Sequence, residues 1–489
     1  MTTSLKAQAI RGVIWGFLDR LGQRGISFVI MIILARLLVP AQFGLVGMLA
    51  IFMEVAGAFV DSGFSAALIQ KKEVTDVDIC SAFYVNVLIG LTAMGLLCVG
   101  APWVAAFYRQ PILTPLMRVL SLNLVINSLA CVHFALLCRR IDFKTQLKIG
   151  LAATSLSGAI GIVMAFQGFG VWSLVTQYLT VTFLRAAFLW IAIAWRPRLM
   201  FSLASVREMF GFGSRLLASG LLNTFFEDLY LVIIGRLFSA MYLGLYNSAR
   251  RIQTLATTNT TTVVTHVAFP VFSRMQDDPV RLKRSLRKAM TLLALIHFPV
   301  MAGLALVAQP LVNVLLSPKW AASAPWLQLL CLVGATYPHQ ALLLNLLKAK
   351  GRSDLFFKLE VLKKILTVIA IAVTYRWGVV GLLWGQIVLS ALGYYINSYY
   401  VIRLVHYSLK EQLADLAPYA GVSALMGLGV YLMRLVPLPG ETSRLLAETL
   451  LGIVLYAVLS YVFGLPAFLE SLRAARDKLR SYTLSPVRS

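Results

Sequence analysis

The sequence predicts an all-α polytopic membrane protein of about 14 transmembrane helices, and three observations predict it. Of its 489 residues, 59% are apolar and only 13% charged, whereas soluble domains run near 45–50% apolar and about 25% charged. The apolar residues fall in runs of about 20 or more, the length a helix needs to span a bilayer. The basic residues collect in alternate connections, as they do beside a cytoplasmic face. This balance excludes a disulfide-built secreted domain, a disordered chain and a soluble enzyme. The 44 Lys and Arg against 20 Asp and Glu give a net charge of +24. In a soluble chain that excess would suggest nucleic acid; here its position along the chain decides its meaning.

Fourteen spans are expected, at 11–38, 43–68, 79–107, 113–138, 147–167, 170–195, 208–238, 242–272, 288–316, 322–348, 355–375, 378–403, 414–436 and 445–464. The first apolar stretch, from near Ile10, is too long and too polar inside for a cleaved signal peptide. The longest polar connection runs from Ser273 to Arg287, and the tail from Leu465 to Ser489 is polar and basic. With both termini in the cytoplasm, the inner segments hold 28 of the 44 basic residues, the outer segments 7, and the spans the remaining 9. That asymmetry sets the orientation and leaves no charge excess to assign to nucleic acid.

An internal repeat is visible. Ile33-Leu-Ala-Arg36-Leu37 followed by Gly44-Leu45 returns as Ile233-Ile-Gly-Arg236-Leu237 followed by Gly244-Leu245, an offset of 200. Gly170-Val171 and Leu174 return as Gly378-Val379 and Leu382, an offset of 208. The offset covers six spans, an even number, so both halves enter the membrane in the same direction. The expected architecture is a parallel repeat of two six-helix lobes about an axis along the membrane normal, plus two C-terminal helices. The corresponding domains are 1–200 (spans 1 to 6), 201–407 (spans 7 to 12), 408–466 (spans 13 and 14) and 467–489 (a basic cytoplasmic tail).

Charges inside spans are costly and normally face a bundle interior or a wet cavity. Arg20, Arg24 and Ser27 follow i, i+4, i+7 and share one face of span 1, with Asp19 and Gln23 beside it. Either this face lines a cavity, or Asp19 neutralises one arginine in a packing ion pair and leaves the other needing a partner. At the repeat offset, span 7 carries Ser219, Asn223, Thr224, Glu227 and Asp228, acidic where span 1 is basic, with Arg215 nearer the cytoplasm. Glu54 and Asp61 share a face of span 2, Asp61 standing either in the cavity or at a helix end. Span 8 carries Arg250 and Arg251, then a threonine-rich run from Thr257 to Thr265, which either offers hydroxyls to a sugar or returns them to its own helix. Arg185 and the Lys363-Lys364 pair are further candidates.

Arginines in a cavity fit phosphate and pyrophosphate oxygens bidentately. Arg20, Arg24, Arg215 and Arg250, with Gln23 and Asn223, are therefore the candidate anion site. Asp19, Glu54, Asp61, Glu227 and Asp228 are the candidates for charge balance or a coupling proton or Na⁺. The five cysteines form no CxxC, the five histidines are scattered, and there is no P-loop. No metal, cofactor or direct use of ATP is expected.

Several motifs in order resemble bacterial polysaccharide flippases of the Wzx type, in particular the WzxC-like exopolysaccharide exporters. They are Gly12-Val-Ile-Trp15, Leu34-Ala-Arg36-Leu-Leu-Val-Pro40 with Phe43-Gly44-Leu45, Asp61-Ser-Gly-Phe64 with Leu68-Ile-Gln70-Lys71, Tyr246-Asn-Ser-Ala-Arg250, Phe269-Pro-Val-Phe272 and Leu347-Lys-Ala-Lys-Gly351-Arg352. The similarity runs over about residues 10–410. It implies the multidrug/oligosaccharidyl-lipid/polysaccharide exporter superfamily, with a central cavity, alternating access and no catalytic residues. It implies as substrate an oligosaccharide repeat unit on undecaprenyl pyrophosphate, moved across the bacterial inner membrane by ion-coupled transport, with membrane lipids, a polysaccharide polymerase and chain-length or export proteins as partners. The family's cavity arginines match by position Arg20 and Arg24, then Arg215 and Arg250. A lipid II flippase and a multidrug antiporter of the same superfamily are the rival readings; the basic span 1 argues against the antiporter. A membrane polymerase or ligase is the rival of another class, and the short outer connections argue against it.

Overall fold

A computed structural model describes residues 2–61, 63–211 and 228–483, with Leu217, Leu221 and Phe226 between the last two blocks. The described residues are about 88% helix and include no strand. Ten helical runs among them are long and apolar enough to cross a membrane; one, Ser353–Val405, spans 53 residues and holds two helices. The all-α polytopic class is therefore met.

The chain divides into two compact units, Met1–Asn247 and Ser248–Ser489. The first holds α1 (Thr2–Leu37), α2 (Pro40–Asp61), α3 (Phe64–Gln70), α4 (Asp76–Tyr108), α5 (Leu113–Arg139), α6 (Phe143–Phe166), α7 (Val171–Ala192), α8 (Leu229–Leu237) and the start of α9 (Ala240–Arg274). The second continues α9 and adds α10 (Pro279–Leu306), α11 (Ala308–Leu315), α12 (Ala324–Ala349), α13 (Ser353–Thr374), α14 (Gly378–Val405), α15 (Leu409–Leu432), α16 (Glu441–Val462) and α17 (Pro466–Thr483). α1 and α9 are 36 and 35 residues long but carry polar faces, so they are not among the ten apolar runs.

Several helix starts have a local cause. Thr75 and Asp78 form a capping box at α4, and Ser408 and Glu411 form another at α15. Asp278 accepts from the backbone N–H of Val280 and Arg281, with Pro279 in the first turn. That cap starts α10 inside the stretch expected to be a long connection. Its charges, Arg281 to Lys288, lie on an amphipathic helical entry and not in a loop. The expected span at 43–68 falls within the run Pro40–Gln70, which is long and apolar enough to cross a membrane, and Gly63 inside it adopts φ 74° between α2 and α3. Arg139 donates to the carbonyls of Leu68, Lys71 and Lys72 and so satisfies the open end of α3. Lys71 bridges Asp78 and Glu208 at 3.1 and 2.9 Å, and the Glu208 hydrogen bond raises its pKa.

Asp142 caps α6 by accepting from the backbone N–H of Thr145 at 3.1 Å and from its hydroxyl at 2.6 Å. The Thr145 hydroxyl is the largest influence holding this carboxyl below its ordinary 3.8. A carboxyl depressed in the folded state stabilises above its unfolded value and loses that contribution as pH falls below it. Asp142→Ala is expected to cost about 1 kcal/mol. Thermal midpoints of variant and wild type should differ at pH 7 and converge toward pH 3.

Two turns repeat with the sequence. α1 ends at Leu37 and α2 starts at Pro40; α8 ends at Leu237 and α9 starts at Ala240. The two turns meet. A Cβ on Gly44 would lie 1.7 Å from the Ala240 carbonyl oxygen, and one on Gly244 would lie 1.9 Å from that of Pro40. The partners of one glycine are thus the partners of the other shifted by 200, the reciprocity of a two-fold contact. Gly170 and Gly378, the second echo, both have positive φ, 58° and 73°, at the entry to α7 and α14.

Candidate functional site

In the first unit α1 lies along α6 with small residues at the contact. A Cβ on Gly158 would sit 2.1 Å from Ile30, and one on Gly150 would sit 2.2 Å from the Gln23 amide nitrogen. That close approach carries the stripe Asp19, Gln23, Ile30 against α6. Gln23 donates to Asp19 Oδ1 at 2.6 Å, and Arg185 of α7 donates to Gln23 Oε1 at 2.8 Å. Asp19 is also within Coulombic reach of Arg185. The result is a polar chain of three groups across two helices: carboxylate, carboxamide, guanidinium. Asp19 is thereby directed through Gln23 toward α7. Arg24 lies about 100° further round α1 and is exposed. Its guanidinium and that of Arg185 are described cations beside α1, as is Lys144 of α6, which lies over the Trp15 ring at 5.8 Å.

Of the other expected residues, Glu54 is exposed on α2 and Asp228 is buried just before α8. Arg250 is half-buried on α9, in the second unit. Arg215, Asn223 and Glu227 lie outside the described residues, and so do the side chains of Arg20 and Asp61. Sequence reasoning counted Arg185 only as a further candidate, because no spacing ties a residue of α7 to Gln23, 162 positions away.

In the second unit the described threonines of the run bond within the protein. Thr261 returns its hydroxyl to the Thr257 carbonyl, Thr260 Oγ1 lies within hydrogen-bond reach of the Ala256 and Thr257 carbonyls, and Thr257 receives the Gln253 amide at 2.7 Å. Thr260 also meets His297 Nδ1 of α10 at 2.8 Å, a contact the scattered histidines did not reveal. Lys363 is paired with Glu360. α10 and α15 are tied by Lys283 to Glu411 and by a bidentate Arg287–Asp415 pair at 2.7 and 2.5 Å.

An apolar cavity of about 880 Å³ lined by Phe52, Leu96, Trp103 and neighbours of α2 and α4 contains none of the charged candidates. Among the described residues, no three His, Cys, Asp or Glu side chains gather closely enough to hold a metal ion. What the first unit offers is an intramembrane cation oriented by a polar chain, able to take the oxygens of an anion.

The sequence profile of the polysaccharide biosynthesis protein family matches residues 33–325. The chain is 29% identical over 410 residues to the lipopolysaccharide biosynthesis protein WzxC of Escherichia coli K12, covering 80% of this chain and 81% of that one. It is 27% identical over 474 residues to the succinoglycan biosynthesis transport protein ExoT of Rhizobium meliloti, covering 94% of each. Its fold matches the lipid II flippase MurJ in an inward closed conformation, with a TM-score of 0.75 at 15% identity over 93% of this chain and 98% of that one. With more than half its length matched by the family profile, this polytopic membrane chain belongs to the polysaccharide biosynthesis protein family.

Proposed function

We propose that the chain is a flippase that moves oligosaccharide repeat units linked to undecaprenyl pyrophosphate across the bacterial inner membrane, by ion-coupled alternating access. The observation that carries this reading is the intramembrane arginine of α7 held by Gln23 and Asp19 in a chain of a polysaccharide biosynthesis family. The oxygens of a diphosphate are ones an arginine fork takes bidentately, and an intramembrane charge marks a substrate or ion pathway. WzxC and ExoT are named for lipopolysaccharide biosynthesis and succinoglycan transport, which favours a glycan as the cargo.

Arg20 and Arg24 are the first anchors of the diphosphate, with Arg215 and Arg250, Gln23 and Asn223 completing its surroundings. Asp61, Glu54, Glu227, Asp228 and Asp19 balance the charge or carry a coupling ion. The lobes are 1–200 and 201–407, six spans each, with 408–466 adding two spans for fourteen in all and 467–489 a cytoplasmic tail. The reciprocal Gly44 and Gly244 contacts and the matching positive-φ glycines support this two-fold arrangement. The basic-residue asymmetry supports termini in the cytoplasm.

The test is polymer output and lipid-linked intermediate in a deletion strain. Arg20→Ala with Arg24→Ala is expected to abolish polymer and accumulate the glycolipid while the protein stays in the membrane. Normal polymer from that double variant would sink the assignment. The MurJ-like fold favours a second reading, transport of lipid II. Rescue of a strain depleted of its lipid II flippase would support it over the first.

A further inference from the structure

We propose that His297 and Thr260 form a proton-binding site in which the Thr260 hydroxyl reverses its hydrogen bond when the imidazole is protonated. His297 is fully buried on α10. Its Nε2 lies 3.0 Å from the Gly334 carbonyl of α12, and a carbonyl only accepts, so Nε2 carries a hydrogen in either protonation state. The neutral ring therefore has a bare Nδ1, which accepts from the Thr260 hydroxyl at 2.8 Å.

The same hydroxyl has a second outlet. The carbonyls of Ala256 and Thr257 lie 3.1 and 2.9 Å from Thr260 Oγ1. When a proton from solution adds to the Nδ1 lone pair, Thr260 turns its hydrogen to either carbonyl and accepts from the new N–H. Every donor and acceptor is satisfied in both states, which an ordinary buried core histidine does not provide for. The only bond made or broken is N–H. Thr260 itself is half-buried, so the hydroxyl side of the pair is the route to the ring.

The groups around it fit a single proton. His339 of α12 is the second imidazole in reach; its ring is tilted against that of Phe298 at 5.1 Å, and two adjacent cations would repel. Tyr456 of α16 is bonded to the Leu295 carbonyl, and Tyr394 of α14 to Gln412. The carboxylates of α15 and α17 that face α10 are Glu411, Asp415 and Glu470. They pair with Lys283, Arg287 and Lys288, at least about 13 Å along the helix from His297. Arg250 and Arg251 of α9 stand at least as far before Thr260. Among the described residues neither histidine has a carboxylate partner.

Coupling of this site to transport rests on the flippase reading; proton binding itself does not. Full-length protein with ¹⁵N-histidine, in liposomes, is titrated from pH 8 to pH 5 by solid-state NMR, and the His297 signal is identified by its loss in His297→Gln. Nδ1 is expected to change from acceptor to protonated while Nε2 keeps its hydrogen. Thr260→Val is expected to move the midpoint down by roughly one pH unit, with Thr260→Ser restoring it. A ring that keeps the neutral tautomer throughout, or a midpoint unmoved in Thr260→Val, overturns the site. In a flipping assay, an imposed pH gradient is expected to change the wild-type rate several-fold and to leave His297→Gln unaffected. An unaltered gradient response in His297→Gln overturns the coupling. A wild type that titrates as expected yet flips no glycolipid supports the proton site and refutes the flippase reading.

Discussion

Valine in place of Gly44 is expected to remove folded protein from the membrane. The Cβ alone would stand 1.7 Å from the Ala240 carbonyl oxygen, and neither partner can yield, because both belong to helix backbone. Relief requires moving the start of α2 from the start of α9, which also disturbs the Gly244 contact with Pro40 beside it. Overpacking of this kind against backbone costs more than about 3 kcal/mol, a large share of the stability of any domain. Gly244→Val is expected to do the same. Gly25 has nothing within 4 Å of its would-be Cβ, so Gly25→Ala is expected to be neutral or slightly stabilising. The yield of monodisperse protein and its thermal midpoint in detergent check all three. A wild-type yield from Gly44→Val would contradict the close backbone contact.

The second large effect is on transport. Arg185→Ala is expected to reduce polymer output at least about tenfold, the scale of one lost charge-assisted contact, with an unchanged amount of protein in the membrane. Gln23→Ala leaves Arg185 without the oxygen that orients it. Because the two act as one chain, the double variant should lose little more than Arg185→Ala alone. Arg185→Lys should recover only part, since an ammonium keeps the charge but not the planar fork. Additive losses from Arg185→Ala and Gln23→Ala would mean that the residues act separately.

The fold class and many helix limits were legible in the sequence, because apolar runs end where glycine, proline and charge begin. The span expected at 113–138 is Leu113–Arg139, and the one at 378–403 is Gly378–Val405. What misled was local. The charges from Arg281 to Lys288 read as a connection, yet the Asp278 cap makes them the first turns of α10. Gly63, with φ 74°, separates α2 from α3 inside the apolar run Pro40–Gln70, a local turn that hydropathy does not mark. The stripe on α1 was legible, since periodicity puts Asp19 with Gln23 and Arg20 with Arg24. Its partner was not. Which helix packs on α1 is decided by Gly150 and Gly158, and only that packing delivers Arg185 to Gln23. His297 and Thr260 meet for the same reason, across two helices with no common period.

The central claim is movement of a pyrophosphate-linked glycan between leaflets. It is tested most directly with purified protein in liposomes that hold a fluorescent polyprenyl-pyrophosphate oligosaccharide, by following the fraction of label exposed to a membrane-impermeant quencher. The account predicts exchange well above protein-free liposomes, and loss of it in Arg20→Ala with Arg24→Ala. Exchange no faster than in empty liposomes, or equal in that double variant, would contradict it.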